Sequence, residues 1–539
     1  MKKFLSLLLV FATVLPIFSG CTNEIDNSGY VATGNAILME GQDPEDIEPE
    51  EEDTQELTLA YYPTRSLNPL FGSDYTNRVL MSLMYQGLFA VSSDKKVTPI
   101  LAGKYTVSAN SRNWTIYLDS NATFSDGTKV TVNDVVATYQ QAMVNDYYKN
   151  RFYKHLLDVS ATEDGGILFQ LDTAFENLPL LLDVPIVKAS EVGATGLSGD
   201  IPMGTGPYVF TEGVNGAVLQ RDPDWWCGSL KIPATDETIN LVEVSSAADV
   251  RDAFQFGGDN SVSVVCTNPM SDSFAEYRCD YELWEIESGY FLYIGCNITY
   301  SDFFEDSSLR TFLTYGIDRE TLIEDTYGGM ASAVTLPCAP TEVFYSKSLA
   351  SQYEYDPITF VQKLASYRIP QADEGGDKEL KLLVNADDSA RVRMARAIAE
   401  NLTELGLPCT TMEKSGSAYN DILYYQTYDI YLGMTRLSAN MDVTEFFRPY
   451  GEMRFGGLSH EVLYKMCTNA LENSGNYYNL YQKLAQDGRI IPVAFGYYNV
   501  YARRGLLPNL QPSRDNVFYY SMGKTMEDIR FEPVVEEEE

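Results

Sequence analysis

Residues 382–410 read LLVNADDSARVRMARAIAENLTELGLPCT, and the hydrophobic period changes twice along them. Leu382, Leu383 and Val384 are a continuous apolar run, the pattern of a strand covered on both faces. Asp387, Asp388 and Ser389 then offer side-chain oxygens to the orphan amides of a helix start. Met394, Ile398, Leu402 and Leu405 follow at steps of four, four and three, which places them on one helical face. Gly406 is a good stop, and Leu407 to Thr410 resume as a strand. Strand, helix and strand in that order make a βαβ unit, whose right-handed crossover lands on a parallel pair. The class predicted is α/β.

Working outward, Tyr428 to Leu432 adds another strand, expected to end at Gly433. A second α/β region lies near the start of the chain. Leu57 to Tyr62 alternates, with Leu57, Leu59 and Tyr61 on one face, and Asn68-Pro69 ends it. From Asn77 to Phe89, Val79/Leu83 and Leu80/Met84/Leu88 recur at helical spacing. Trp114 to Leu118 alternates as a strand, and Thr131 with Asp134 forms a capping-box signature ahead of Val135, Val136 and Tyr139. The sequence between the two regions is more irregular. No period of about 20 to 50 residues recurs, which excludes a repeat array.

The chain has 539 residues, 45% of them hydrophobic, with 39 basic against 76 acidic side chains and a net charge of −37. That size predicts several domains, and that charge argues against a nucleic-acid partner, since no Lys/Arg cluster offsets it. Two histidines, His155 and His460, leave little material for a His-rich metal site or a His-based triad. Lys2 and Lys3 precede an apolar run from Phe4 to Phe18 and the small residues of Phe18-Ser19-Gly20-Cys21, the layout of an export signal. Residues Thr22 to Glu56 hold twelve acidic side chains and no basic ones and read as a solvated tether; Glu536 to Glu539 form a second acidic tail. The best candidate for a membrane span elsewhere, Leu178 to Val187, is interrupted by Asp183. Besides Cys21 there are seven cysteines, none in a C-x-x-C pair; Cys266 and Cys279 could close a loop, with buried free thiols as the alternative.

Several phrases in order resemble the extracellular solute-binding proteins of peptide- and nickel-type ABC importers, family 5. They are Leu67-Asn68-Pro69-Leu70, Tyr85-Gln86-Gly87-Leu88-Phe89, Pro99-Ile100-Leu101-Ala102 and Phe124-Ser125-Asp126-Gly127-Thr128. Gly204-Thr205-Gly206-Pro207-Tyr208, Arg221 to Trp226, Tyr315 to Arg319 and Tyr428 to Gly433 continue the match. The Phe18 to Cys21 end likewise resembles a bacterial lipobox, with Cys21 as the lipidated residue. The resemblance implies a periplasmic-binding-protein-like fold (type II, cluster C) of two large lobes joined by a hinge, plus a smaller inserted lobe. Mapped here, residues 1–20 are the signal and 21–56 the tether. Residues 57–97, 204–299 and 490–535 make the first lobe, 98–203 the insert and 300–489 the second lobe. It further implies a lipid-anchored monomer on the outer face of the cell membrane, with permease subunits as partners, no cofactor, no metal and no catalytic residue.

In this family the segment after the Tyr-Asp-x-Tyr strand lines the cleft and commonly carries a Trp, then an Asp that meets a peptide's amino terminus. Here Met434 stands where the Trp is expected, and Asp442 matches the Asp only if the loop is shifted. Thr435 lies between, and Arg436 is either a receiver of a carboxylate or other anion or a solvated loop arginine. Tyr61, Tyr62, Tyr290, Tyr293, Phe495, Tyr497 and Tyr498 are further wall candidates, each with core packing as the alternative. The leading expectation is a receptor that captures an oligopeptide or related small solute and performs no chemistry. A surface hydrolase using paired carboxylates, and a degenerate member serving as an interaction or signalling module, are the competing readings.

Overall fold

The computed structural model describes residues 56–213, 216–227, 236–258, 260–268, 277–521 and 523–530. The expected signal, Cys21 and all but the last residue of the acidic tether lie outside them. The first alternating stretch forms β1 (Thr58–Tyr61), and the helix after it, α1 (Tyr75–Met84), begins where Asp74 accepts a bond from the Asn77 amide. α1 stops short of the expected Phe89. The Gly204–Pro207 segment crosses its end, and the Gly206 amide donates to the Met84 carbonyl at 2.9 Å, an acceptor the next helical turn would need. A side chain at Gly204 would collide with that carbonyl, which is why glycine is required there. Phe89 instead opens β2 (Phe89–Val91), paired antiparallel with β3 (Val97–Pro99).

The next stretch builds its own antiparallel sheet from β4 (Ala102–Val107), β5 (Asn113–Leu118), β6 (Leu156–Ala161) and β7 (Ile167–Leu171), in the order β4-β5-β7-β6. Helix α2 (Val132–Ala142) packs on it, with the Tyr139 ring edge-on to Phe169 at 4.9 Å. The Thr131/Asp134 capping box forms as the sequence predicts, with Asp134 accepting from the Thr131 amide at 2.8 Å. The short helix α3 (Lys149–Phe152) connects α2 to β6.

The remaining strands are β8 (Tyr208–Gly213), β9 (Gly216–Arg221), β10 (Thr238–Glu243), β11 (Val264–Thr267), β12 (Tyr281–Cys296), β13 (Ala331–Ala333), β14 (Leu380–Asn385), β15 (Cys409–Lys414), β16 (Ile430–Arg436) and β17 (Ile490–Arg503). With β1 they form one eleven-stranded mixed sheet, ordered β15-β14-β16-β12-β17-β11-β1-β10-β9-β8, with β13 also on β17. The βαβ unit is present. β14 and β15 are parallel from Leu380↔Cys409 to Asn385↔Lys414, and the helix Ser389–Glu404 between them starts at Asp388, which accepts from the Arg391 amide. Met394, Ile398 and Leu402 are fully buried on that helix, so truncating any one to alanine costs roughly 2–5 kcal/mol. β16 does not end at Gly433. It runs on to Arg436, because a glycine is what lets the strand pass the Tyr293 ring on β12, and pairing continues to Tyr290↔Arg436.

β12 and β17, at 16 and 14 residues, are the long strands of the sheet and carry the chain between its two sides. Tyr281 to Glu287 pair with β17, whereas Tyr290 to Cys296 pair with β16, and Phe291 to Gly295 of these with β17 as well. The change falls at an irregularity in the β12–β17 register between Glu287, opposite Tyr497, and Phe291, opposite Phe495. Gly289 in the irregularity has φ +80°, and any side chain there would strike the Arg514 guanidinium. Separate hydrophobic cores lie to either side, one around α1, β1 and the small sheet, others around β14, β16 and the later helices. Cys266, Cys279 and the other five described cysteines are all unbridged.

Candidate functional site

Beside this crossing sits Asp515, on the segment that follows β17. Arg436, the last residue of β16, donates through Nη2 to its Oδ1 at 2.8 Å. Arg151 of α3 donates to Oδ2 at 2.9 Å, and the Tyr147 hydroxyl to Oδ1 at 3.0 Å. One carboxylate thus ties together the C-terminal return, the small-sheet insert and the β16 side. Burial alone would raise its pKa, but Arg436, Arg151 and Arg514 outweigh that and hold the carboxyl well below the usual range. Arg436 also donates from Nε to the Ser288 carbonyl in the β12 irregularity, 2.9 Å away, and its guanidinium lies over the Tyr147 ring at 4.7 Å. Arg151 pairs in addition with Asp183, the lone charge of the apolar run 178–187.

A second cluster adjoins it. Lys95, in the turn between β2 and β3, places Nζ 2.9 Å from Glu287 and 3.1 Å from Glu342. The two carboxyls respond oppositely. Burial raises both, but at Glu287 Lys95 and Arg514 overcome it, while at Glu342 burial prevails. Arg514 meanwhile donates to the Leu437 carbonyl just beyond β16.

The third contact is His155, fully buried between β6 and the segment after β16. Its Nδ1 is 2.8 Å from Asp172, and its Nε2 lies 2.8 Å from the Thr444 hydroxyl and 3.3 Å from Asp442. Burial and the Arg448 guanidinium, 3.0 Å from Nδ1, would lower its pKa, yet Asp442 and Asp172 together push it up to about 9, which favours the imidazolium at neutral pH. Asp442 is spent on this contact and on the Thr444 amide at 2.8 Å. A ligand's ammonium group would therefore find it occupied, unlike the free anchor that the family resemblance implies.

Two adjoining cavities open among these groups, of about 50 Å³ and about 20 Å³, sharing Val91, Arg151, Asp183 and Asp515 as walls. Arg78, Gln86, Tyr148, Ser513 and Asn516 are among the other residues lining the first; Tyr147, Arg436, Ser438 and Arg514 among those lining the second. Larger hollows, of about 330, 450 and 790 Å³, lie on the β14–β16 side and contain none of these residues.

Of the residues expected to touch a ligand, only Arg436 lines this crevice, and it is a strand residue with an internal counter-ion, not a solvated loop arginine. Tyr61 and Tyr62 are each 2% exposed and do not reach it. β1 lies between β10 and β11 and is covered on both faces, so Tyr61 packs against Phe210 at 5.2 Å and Tyr62 enters a different core, beneath Arg65. Tyr290 faces Arg436 in the β12–β16 register and is half-buried; Met434 packs on the core of the β14 side, with Thr435 half-buried between them. The Tyr497 hydroxyl meets Ser332, Tyr293 and Phe495 are core, and Tyr498 packs on Tyr75 at 5.9 Å. Arg78, Tyr147, Arg151, Asp183, Arg514 and Asp515 escaped the sequence reading. Only Asp183 left a signal, as a charge inside an apolar run.

Comparison with known proteins agrees with this architecture. Oligopeptide-binding protein AppA of Bacillus subtilis (strain 168) is 25% identical over 472 residues, covering 80% of this chain and 83% of AppA. Among solved structures, AppA of Bacillus subtilis in complex with a nonapeptide aligns with TM-score 0.59 and 19% identity, over 87% of this chain and 99% of that one. The ABC transporter substrate binding protein CtaP of Listeria monocytogenes aligns with TM-score 0.66 and 18% identity, over 87% and 98%. The profile "Bacterial extracellular solute-binding proteins, family 5 Middle" matches residues 96–454, and the chain belongs to that family.

Proposed function

We propose that this chain is the extracytoplasmic receptor of an ABC importer, which captures an oligopeptide or a related small solute and hands it unchanged to membrane permease subunits. The observation that carries this reading is the crevice at the crossing of β12 and β17, spanned by the Asp515 contacts between three parts of the chain. Side chains fill the crevice here, so a solute enters when the halves rotate apart about the two crossing strands and is enclosed when they return. The oligopeptide class is supported by the likeness to AppA, named as oligopeptide-binding. The receptor works as a monomer, held to the outer face of the membrane through acylated Cys21 and the acidic tether that follows it.

The four tryptophans report on both claims of capture and release. Thermal shifts and tryptophan fluorescence across a peptide library are expected to single out a subset of peptides, recovered intact by mass spectrometry after release. A flat response to every peptide, sugar and metal chelate, or steady breakdown of a bound one, would overturn the proposal. For the anchor, Cys21→Ser should abolish acyl labelling and free the protein from membranes.

A further inference from the structure

His155 is enclosed where the small-sheet insert meets the segment after β16, and both of its ring nitrogens face acceptors. On the insert's own side, Asp172 lies 2.8 Å from Nδ1. From across the interface, the Thr444 hydroxyl stands 2.8 Å from Nε2 and Asp442 3.3 Å. The Thr444 hydroxyl gives its own proton to Asp442, so towards the ring it can only accept. A neutral imidazole carries one N–H and serves one of these two sides; the imidazolium carries two and serves both.

The Arg448 guanidinium does not change that count. Its Nη2 is 3.0 Å from Nδ1 and 3.4 Å from Nε2. A donor aimed along the lone pair of one ring nitrogen lies far from the other, so near-equal distances place the guanidinium over the ring face. It leaves the in-plane positions to Asp172 and Thr444 and has carboxylates of its own, Glu445 at 3.2 Å and Asp172 at 3.4 Å. The enclosed cluster therefore sets three carboxylates, Asp172, Asp442 and Glu445, against one fixed cation. A proton on His155 makes up part of that deficit. Burial lowers the ring's value, but the carboxylates overcome both burial and Arg448 and bring it to about 9. The other titratable groups packed here, Tyr153, Tyr464 and Cys467, are all pushed up by burial and stay neutral below that.

His155 and Asp172 come from the insert, whereas Asp442, Thr444 and Arg448 come from the β16 side, so the arrangement exists only while the two touch. Where they part, water replaces the Asp442 side of the contact and the ring falls back towards its ordinary 6.5. We propose that solute capture is coupled to a proton, which His155 takes up from solvent as the crevice closes and returns as it opens. This rests on the receptor reading above and adds regulation to it. Between about pH 7 and 8.5 closure then takes up close to one proton, and affinity falls by up to about tenfold per pH unit. Acid favours the bound state and alkali favours release, whatever the charge of the solute.

The test uses the full-length protein and the library peptide that gives the largest thermal shift. Calorimetric titration at pH 7.5 in phosphate and in Tris, buffers of low and high ionisation enthalpy, counts the protons taken up. The heats are expected to differ by close to one proton, and affinity to fall about fivefold to tenfold from pH 7.5 to 8.5. His155→Gln should remove that uptake and flatten the pH profile; any uptake that remains belongs to the peptide. With two histidines in the chain, nitrogen-15 NMR of the rings resolves His155 against His460. Its proton is expected to leave near pH 9 with the peptide bound and at lower pH without it. Should His155→Gln fail to fold, this ring titration in the wild type decides the matter alone. Peptide binding with equal heats in both buffers, or a His155 ring that titrates alike with and without peptide, would overturn the proton coupling and leave the receptor standing. Binding of no peptide at any pH would remove the receptor reading, and the coupling with it.

Discussion

Two contacts join the small-sheet insert to the β16 side, and they are built on opposite plans. At Asp515 one carboxylate gathers two arginines and a tyrosine hydroxyl. At His155 one imidazole sits between two carboxylates, Asp172 and Asp442, with the Arg448 guanidinium 3.0 Å from Nδ1. The residues involved are near neighbours in sequence, Arg151 with His155 and Arg436 with Asp442, so the same two segments supply both. The difference is in what can titrate. Arginine keeps its charge at any pH a protein meets, whereas the histidine gives up its proton within reach of physiological alkalinity. One contact is permanent and the other conditional.

The largest effect should come from breaking the permanent contact. Asp515→Asn leaves Arg436 without its counter-ion and Arg151 with Asp183 alone, and loss of one partner from so enclosed a cluster costs roughly 3–5 kcal/mol. Urea unfolding measures it; a change under about 1 kcal/mol would mean that solvent already screens the cluster.

The conditional contact is broken by pH alone. His155 rises from 6.5 to about 9 on folding, so it stabilises fully below pH 6.5 and its contribution fades as pH climbs through about 9. A shift of that size corresponds to about 3 kcal/mol at the acid end. Unfolding free energies between pH 6 and 9.5 should show this slope in the wild type and lose it in His155→Gln. An unchanged slope in the variant would remove the histidine from the account.

A smaller change sharpens the contrast. Gly289→Ala forces a side chain into a left-handed position against Arg514, at a cost of about 1–3 kcal/mol. It should disturb the arginine cluster and leave the His155 titration, followed by NMR of the ring protons, where it was. A shift in both would show that the two contacts are coupled.

How much of this could be read beforehand follows from how local each signal is. The βαβ unit was legible because Met394, Ile398 and Leu402 repeat at helical spacing between two apolar runs, and period is a property of neighbours. The end of β16 was misread because a glycine is ambiguous: Gly433 looks like a stop, and only the Tyr293 ring on another strand makes it a passage. Tyr61 lies on the expected strand, which ends one residue before Tyr62, but alternation cannot say that both faces of that strand are covered. Asp515, Arg151, Arg78 and Arg436 come from four distant stretches and carry no period at all. Asp515, Arg151 and Arg78 read as ordinary surface charges until the chain is folded around them, and Arg436 draws notice only through the family resemblance.

The two long strands have one more consequence. β12 and β17 are hydrogen-bonded to each other from Tyr281↔Arg503 to Gly295↔Ile490, so each core owns half of the same ladder. Neither side can melt by itself without fraying strands that its opposite number still holds. Amide protons near Trp284 to Ile286 and Tyr498 to Val500 should therefore exchange with deuterium only in the rare event that dissolves both cores together, which makes a molecule with several separate cores unfold as one.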